Sequence, residues 1–174
     1  MVSLDTVRIR PAEPRDIDEL AELAQETYVA AFGHSFAPGD LAAHLERHLS
    51  PTHVRTWIEL DAVLLAEAGE RLVGFVQLGP AGDAVELRRL YVAGDFQNRG
   101  IGGRLMQAAL AHPAALAADR IVLDVWERNH AARRFYERFG FKVVGHRAFE
   151  VVSGAQTDPD LIMALKPARV PSPS

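Results

Sequence analysis

Apolar positions along the chain switch between two periods, and each switch marks a change of element. Val7 and Ile9 alternate with Arg8 and Arg10, a period of two that predicts a short strand, broken by Pro11 and Pro14. The period then lengthens. Ile17, Leu20, Ala21, Ala24, Tyr28 and Ala31 form a stripe with Asp18, Glu22 and Glu26 opposite, which predicts an amphipathic helix over about 15–31. Phe32-Gly33-His34-Ser35-Phe36 reads as a loop, and residues 38–49 as a second helix that Pro51 ends. Two strands are expected at 62–68 and 71–78, joined by Gly69-Glu70 in a tight hairpin, with a turn at 79–83 and a third strand at 85–92. The helix beyond should stop near His112, because Pro113 cannot continue it, and resume over 114–118. Ile121-Val122-Leu123-Asp124-Val125-Trp126 alternates again as a strand. Asn129 opens a helix striped by Ala132, Phe135, Tyr136 and Phe139, and Gly140 closes it. Strands at 142–152 and 161–166 follow, separated by 153–159, and the Pro- and Ser-rich tail 167–174 is expected to be disordered.

Composition narrows this picture. With 174 residues, 48% of them apolar, the chain can bury one core, so a single domain over 1–166 is expected. No apolar run approaches the roughly 20 residues of a bilayer span. Met1-Val2-Ser3-Leu4-Asp5 does not read as a signal peptide, and a soluble cytoplasmic protein is expected. The absence of cysteine excludes disulfides, thiolate nucleophiles and Cys-based zinc sites. Among the 7 histidines, His44 and His48 share a helix face, but no third ligand accompanies them; they read as packing or solvent-facing residues, and no metal is expected. A net charge of −4 argues against a nucleic-acid surface and suits a cationic substrate.

The most specific chemistry lies where the strand Leu90-Tyr91-Val92 runs through Gln97-Asn98-Arg99-Gly100-Ile101-Gly102-Gly103 into a helix. A helix start leaves its first N–H groups unpaired and carries the positive end of the macrodipole, so it can surround a phosphate. Glycines let the anion come close, and Arg99 can add a charged donor. A P-loop is excluded because Arg104-Leu105 stands where Lys-Ser/Thr is needed, and the G-x-G-x-x-G dinucleotide spacing is absent.

The run instead matches Gln/Arg-x-x-Gly-x-Gly/Ala, and this chain resembles the GNAT N-acetyltransferase superfamily, whose members hold the acetyl-coenzyme A pyrophosphate on that motif. A second stretch, Asn129-x-Ala131-Ala132-x-x-Phe135-Tyr136-x-x-Phe139-Gly140-Phe141, resembles the second signature of the same superfamily, in the right order. The resemblance implies an α/β fold, a mixed, mostly antiparallel sheet of about seven strands with about four helices. It also implies acetyl-coenzyme A as donor, coenzyme A as product, and transfer to a primary amine. By resemblance, the pantetheine arm lies in a gap between the fourth and fifth strands, against Leu90, Tyr91 and Val92. The phosphates sit over Gln97, Asn98, Arg99, Gly100, Ile101, Gly102 and Gly103, and Asn129 and Ala132 lie beside the arm. Asn129 also reads as a helix cap.

Tyr136 corresponds to the tyrosine that protonates the departing thiolate in many members; otherwise it completes a packing stripe. Glu86 is the leading general base, against the plainer reading of a surface glutamate paired with Arg88 or Arg120. Asp124 and His146 are weaker bases, and some members have none. A narrower resemblance, to the bacterial PaiA-type spermine/spermidine N-acetyltransferases, rests on Glu26-Thr27 with Phe32, Glu86-Leu87-x-Arg89-Leu90-Tyr91-Val92, Val125-Trp126-Glu127-x-Asn129, Val144-Gly145-His146-x-x-Phe149 and Asp158-x-Asp160-Leu161-Ile162-Met163. It implies a polyamine or other small amine as partner, bound near Tyr28, Phe32, His34, Phe36 and Phe149. Aromatic faces can hold alkylammonium groups. Peptide or protein acetylation and a non-catalytic acyl-coenzyme A sensor are the competing functions. A homodimer is compatible with the resemblance, although no stretch marks an interface.

Overall fold

Short apolar runs, buried on both faces in the centre and alternating in burial further out, build one seven-stranded sheet in the computed structural model, which describes residues 6–147 and 159–168. The strands are β1 (Val7–Pro11), β2 (Ala62–Ala68), β3 (Arg71–Ala81), β4 (Ala84–Val92), β5 (Ile121–Trp126), β6 (Lys142–Arg147) and β7 (Asp160–Leu165), in the order β1-β2-β3-β4-β5-β7-β6. Every neighbouring pair is antiparallel except β4 and β5. The helices are α1 (Ile17–Phe32), α2 (Asp40–Leu49), α3 (Pro51–Leu60), α4 (Ile101–Leu110), α5 (Pro113–Ala117) and α6 (His130–Arg138). The expected mixed α/β architecture is present. The outer part of the strand expected at 142–152, the 153–158 linker, Phe149 and residues 169–174 lie outside the described residues.

Two local expectations are corrected. Pro51 does not end the helical region but begins α3 as its first residue, after the extended Ser50. A first-turn N–H has no intrahelical acceptor, so proline loses nothing there, and Val54 and Trp57 then bury one side of the helix. Likewise, residues 79–81 belong to β3, which reduces the expected turn to Gly82-Asp83. Pro80 is tolerated because its partner Val85 donates its N–H away from β3, to Arg120 O, marking a pair without mutual hydrogen bonds. The Pro80 nitrogen therefore faces the side where β2 has already ended, opposite Leu78.

The two faces of the sheet are covered by different helices. Leu105 of α4 lies over Gly74, while Trp57 of α3 stacks on Phe75 at 6.4 Å, so successive β3 residues face opposite layers. Leu20, Leu65, Phe75, Leu105, Met106, Ile121 and Met163 are sealed in the resulting core. In α1, the expected stripe is buried at Ile17, Leu20, Ala21 and Ala24, joined by Leu23 and Thr27, whereas Ala31 is exposed.

The feature that positions the site is the failure of β4 and β5 to stay together. They pair only at Val85↔Ile121 and Glu86↔Val122. Beyond that point β4 bends at a bulge, where Arg88 is the extra residue between Leu87 and Arg89, and β5 turns to β7 for its partner.

Candidate active site

Parting of β4 from β5 leaves one edge of β4 without a strand. Ala93 donates to Val73 O, and the alternation of an antiparallel ladder then turns the main-chain groups of Leu90 and Val92 away from β3, into the gap. Tyr91 falls on the hydrogen-bonded positions opposite Phe75, so its main chain faces β3 instead. The exposed Val92 O accepts from Gln97 Nε2 at 3.1 Å. An extended amide-bearing chain laid in this gap would find donors and acceptors in strand-like order.

At the end of the gap the chain turns through Asn98 (φ 59°) and Gly100 (φ 79°), two left-handed residues on either side of Arg99 that lead it into α4. Gly100 is the residue preceding the helix, and the first bond back to it comes from Arg104 N–H at 3.1 Å. The N–H groups of Ile101, Gly102 and Gly103 consequently have no acceptor within the helix and open outward. A Cβ at Gly102 would stand 3.8 Å from Phe135 and 3.9 Å from Val92, so a side chain there would grow into the cleft. These features fit a phosphate-bearing chain: unpaired donors, the positive helix end and a floor without side chains.

The cleft encloses about 750 Å³ between this turn and α6. Leu90, Val92, Gln97, Asn98, Gly100, Ile101, Gly102, Gly103, Asn129, Ala132 and Tyr136 all line it. Arg99 does not. Its guanidinium lies over the Phe96 ring at 5.3 Å, and the cation on the cleft wall is Arg138, placed one turn beyond Phe135 and over its ring at 5.6 Å. Arg138 was legible only as a basic residue in the last turn of a helix. Asn129 is the cap that its type predicts, its Oδ1 accepting from Ala132 N–H at 3.1 Å.

Tyr136 sits half-buried against Phe135 and Phe141, with ring centroids at 5.4 and 6.0 Å. Burial, reinforced by the neighbouring Tyr91, pushes its phenol up to about 12, so it stays protonated and can donate at any ordinary pH.

Across the same gap, on the α1 side of the sheet, lies a second cavity of about 900 Å³. Tyr28, Phe32 and Glu86 line it. Phe36 stands behind Tyr28 at 6.2 Å and His34 is exposed; neither reaches the lining. Asp124 lines the cavity while paired to Arg147 at 3.2 Å, and His146 is exposed on β6. Glu86 makes the anticipated pair with Arg88, at 3.5 Å, yet it also faces the cavity. His44 stacks on Tyr28 at 4.9 Å and lies tilted against His48 at 4.5 Å, which accounts for that pair as part of the aromatic wall.

Sequence reasoning missed Arg89, Trp126 and Asp160 as lining groups. Arg89, Trp126 and Asp160 stood inside the motifs that carry the narrow resemblance, without an assigned role. Only tertiary structure brings Asp160 of β7 opposite Trp126. Burial raises its carboxyl above the usual range, and Asp124 adds to the rise. Tyr91, whose phenol is also raised by burial, lines this second cavity, while Leu90 and Val92 line the first.

Residues 17–141 match the family model for GNAT-family acetyltransferases. An uncharacterised N-acetyltransferase of Mycobacterium tuberculosis is 34% identical over 151 residues, covering 85% of this chain and 96% of the relative. A probable spermine N(1)-acetyltransferase of Bacillus subtilis subsp. natto is 32% identical over 130 residues, covering 62% of this chain and 85% of that protein. Among solved structures, the PaiA N-acetyltransferase from Thermoplasma acidophilum in complex with coenzyme A superposes with a TM-score of 0.75 at 24% identity, covering 92% of this chain and 98% of that one. Among the described residues, no helix is long and apolar enough to cross a membrane. The chain belongs to the GNAT family and is an N-acetyltransferase that uses acetyl-coenzyme A.

Proposed function

We propose that this protein acetylates a primary amine of a small molecule held in the cavity between α1, α2 and β4, with the donor lying in the cleft between β4 and α6. The observation that carries the reading is the gap between β4 and β5, where β4 borders a different cavity with alternate residues: Leu90 and Val92 line one, Glu86, Arg89 and Tyr91 the other. When bound, the donor supplies an activated acetyl group and, after transfer, a thiolate that needs a proton. The chain's own residues do the rest. Leu90 and Val92 offer main-chain partners along the gap, and the N–H groups of Ile101, Gly102 and Gly103 hold phosphate charge. Tyr136 Oη donates that proton to the sulfur as the C–S bond breaks, the nitrogen sheds its second proton to solvent, and the phenolate takes one back from solvent; burial keeps the phenol protonated between turnovers. Glu86 Oε accepts the proton of the incoming ammonium, directly or through a water, from its place at the last paired position of β4 and β5.

Polyamines are one acceptor class to test beside other small amines. The PaiA-type resemblance and the probable spermine acetyltransferase relative both favour them, and Tyr28 and Phe32, 5.0 Å apart, offer ring faces to an alkylammonium chain. The test is coenzyme A thiol release from acetyl-coenzyme A against polyamines, other small amines, amino acids and short peptides. Turnover with small amines supports the reading. Turnover confined to peptides would replace it with protein acetylation, and donor binding without release to any acceptor would replace it with a sensor.

A further inference from the structure

The second cavity carries both signs of charge, and its charged groups are not equally neutralised. Glu86 is within 3.5 Å of Arg88, Arg88 is within 3.3 Å of Asp61, and Asp124 is within 3.2 Å of Arg147. Arg89 stands apart. It rises from β4 on the same face as Tyr91, lays its guanidinium 4.3 Å from the centroid of the Trp57 ring, and donates from Nη1 to Gln77 Oε1 at 2.8 Å. Gln77 is itself sealed and oriented, its Nε2 donating to Asp61 Oδ2 at 2.6 Å. Among the described residues no carboxylate lies within ion-pair distance of Arg89; Asp61 and Glu86 act on it only at longer range.

A half-buried guanidinium is costly to leave without a counter-charge, and its planar fork of donors matches a carboxylate. Here stacking on Trp57 and a single neutral acceptor fix the plane of the fork and leave further N–H groups to the cavity. Asp160 stands on the β7 side of the same cavity, and burial works against its charge. A ligand with one positive and one negative end would relieve both groups. A polyamine would relieve the carboxylate and set a second cation against Arg89, which is a repulsive element in the recognition of that class.

Resting on the reading that this cavity receives the acceptor, we infer that the acceptor amine carries a carboxylate or similar anion, and that Arg89 is the residue that binds it. The preferred substrates are therefore amino-acid-like zwitterions, ahead of polyamines of the same length.

The test compares acceptors matched in length. Each ω-amino acid from glycine to 6-aminohexanoate is measured for thiol release beside its primary amide and, where one exists, the diamine of the same chain length. One charge-assisted contact made to the acid alone should raise kcat/KM by at least about tenfold over the amide at the best length. The Arg89→Gln protein should bring the acid-to-amide ratio close to one. A wild-type ratio near one, or a diamine that outperforms the acid at every length, overturns the inference and leaves N-acetylation of small amines standing. If no acceptor releases thiol, the proposed function fails by itself. Calorimetry of the N-acetylated acid and N-acetylated amide, each with coenzyme A present, then decides the inference separately. Tighter binding of the acid, lost in Arg89→Gln, supports it, and equal binding overturns it.

Discussion

The two cavities that flank β4 are built from different materials. The cleft beside α6 takes its donors from the main chain: Leu90 and Val92 along an unpaired edge, then the first turn of α4. The cavity beside α1 is made of side chains from α1, α2, β4, β5 and β7, arranged as aromatic rings and charged pairs. A main-chain site depends on strand pairing and on a few residues with small or no side chains. A side-chain site can be rewritten residue by residue without disturbing the sheet. The first is therefore suited to the donor that a whole family shares, and the second to acceptors that differ from one member to the next.

If that division is right, the most damaging single change lies on the main-chain side. Gly102→Arg should weaken coenzyme A binding by more than about 100-fold, because its side chain would grow toward Phe135 and Val92 and fill the cleft. The helix should still form, since arginine favours helix over glycine. Calorimetry of coenzyme A binding, with circular dichroism as the control for folding, checks this. Near-normal binding by a folded variant would remove the first turn of α4 from the donor site.

Within the same cleft, at Tyr136, the expected effect is smaller and falls on a different quantity. Tyr136→Phe should lower kcat by about 10- to 100-fold while changing the Kd of coenzyme A less than about threefold, since only the hydroxyl is lost. An equal loss in both would make Tyr136 a packing residue of the α6 stripe. The pH profile adds a condition with a definite sign. A phenol raised from 10.0 to about 12 remains a proton donor through the whole alkaline range in which activity is usually measured. Any fall in kcat between about pH 8 and pH 10 must then belong to another group, and it should persist in Tyr136→Phe.

The same division explains what was legible in the chain. Apolar runs, helical stripes and the turn residues that bound them located all seven strands and α1, α2, α4 and α6, and the two motifs marked the cleft because main-chain sites leave glycines and a cap at fixed spacing. Helix α3 was missed because proline punctuates both ends of helices, and Pro51 was read as a stop when Ser50 and Pro51 form a start. Pro80 misled in the same way: a proline inside a strand is tolerated only where the neighbouring strand has ended, and that is a fact of pairing, absent from local pattern. Arg89 and Asp160 needed tertiary structure altogether. Nothing in their spacing says that a β4 guanidinium will stack on an α3 indole, or that a β7 carboxylate will share a cavity with α1.

On the side-chain side, the comparison is sharpened by Glu86→Gln. If Glu86 accepts the ammonium proton, the variant should lose about tenfold in kcat/KM at neutral pH and recover partly at high pH, where more acceptor is already neutral. Donor binding should be unaffected, as Glu86 lines only the second cavity. A pH-independent loss would instead assign it to holding Arg88 in place across their 3.5 Å pair.

The smallest expected effect tests whether the main-chain cleft also depends on its frame. Asn129 caps α6 through its bond to Ala132 N–H, and α6 carries Phe135, Tyr136 and Arg138 into the cleft. Asn129→Ala should cost about 1 kcal/mol of stability by denaturant unfolding. Asn129→Asp should restore it, because a carboxylate also accepts from that N–H and is favoured at the positive helix end. Coenzyme affinity discriminates two roles for the same side chain. If Asn129 only caps, the two variants bind coenzyme A alike under conditions where both are fully folded. If its amide also reaches the bound chain, Asn129→Asp should bind more weakly despite its recovered stability, since it has lost the donor that asparagine offers.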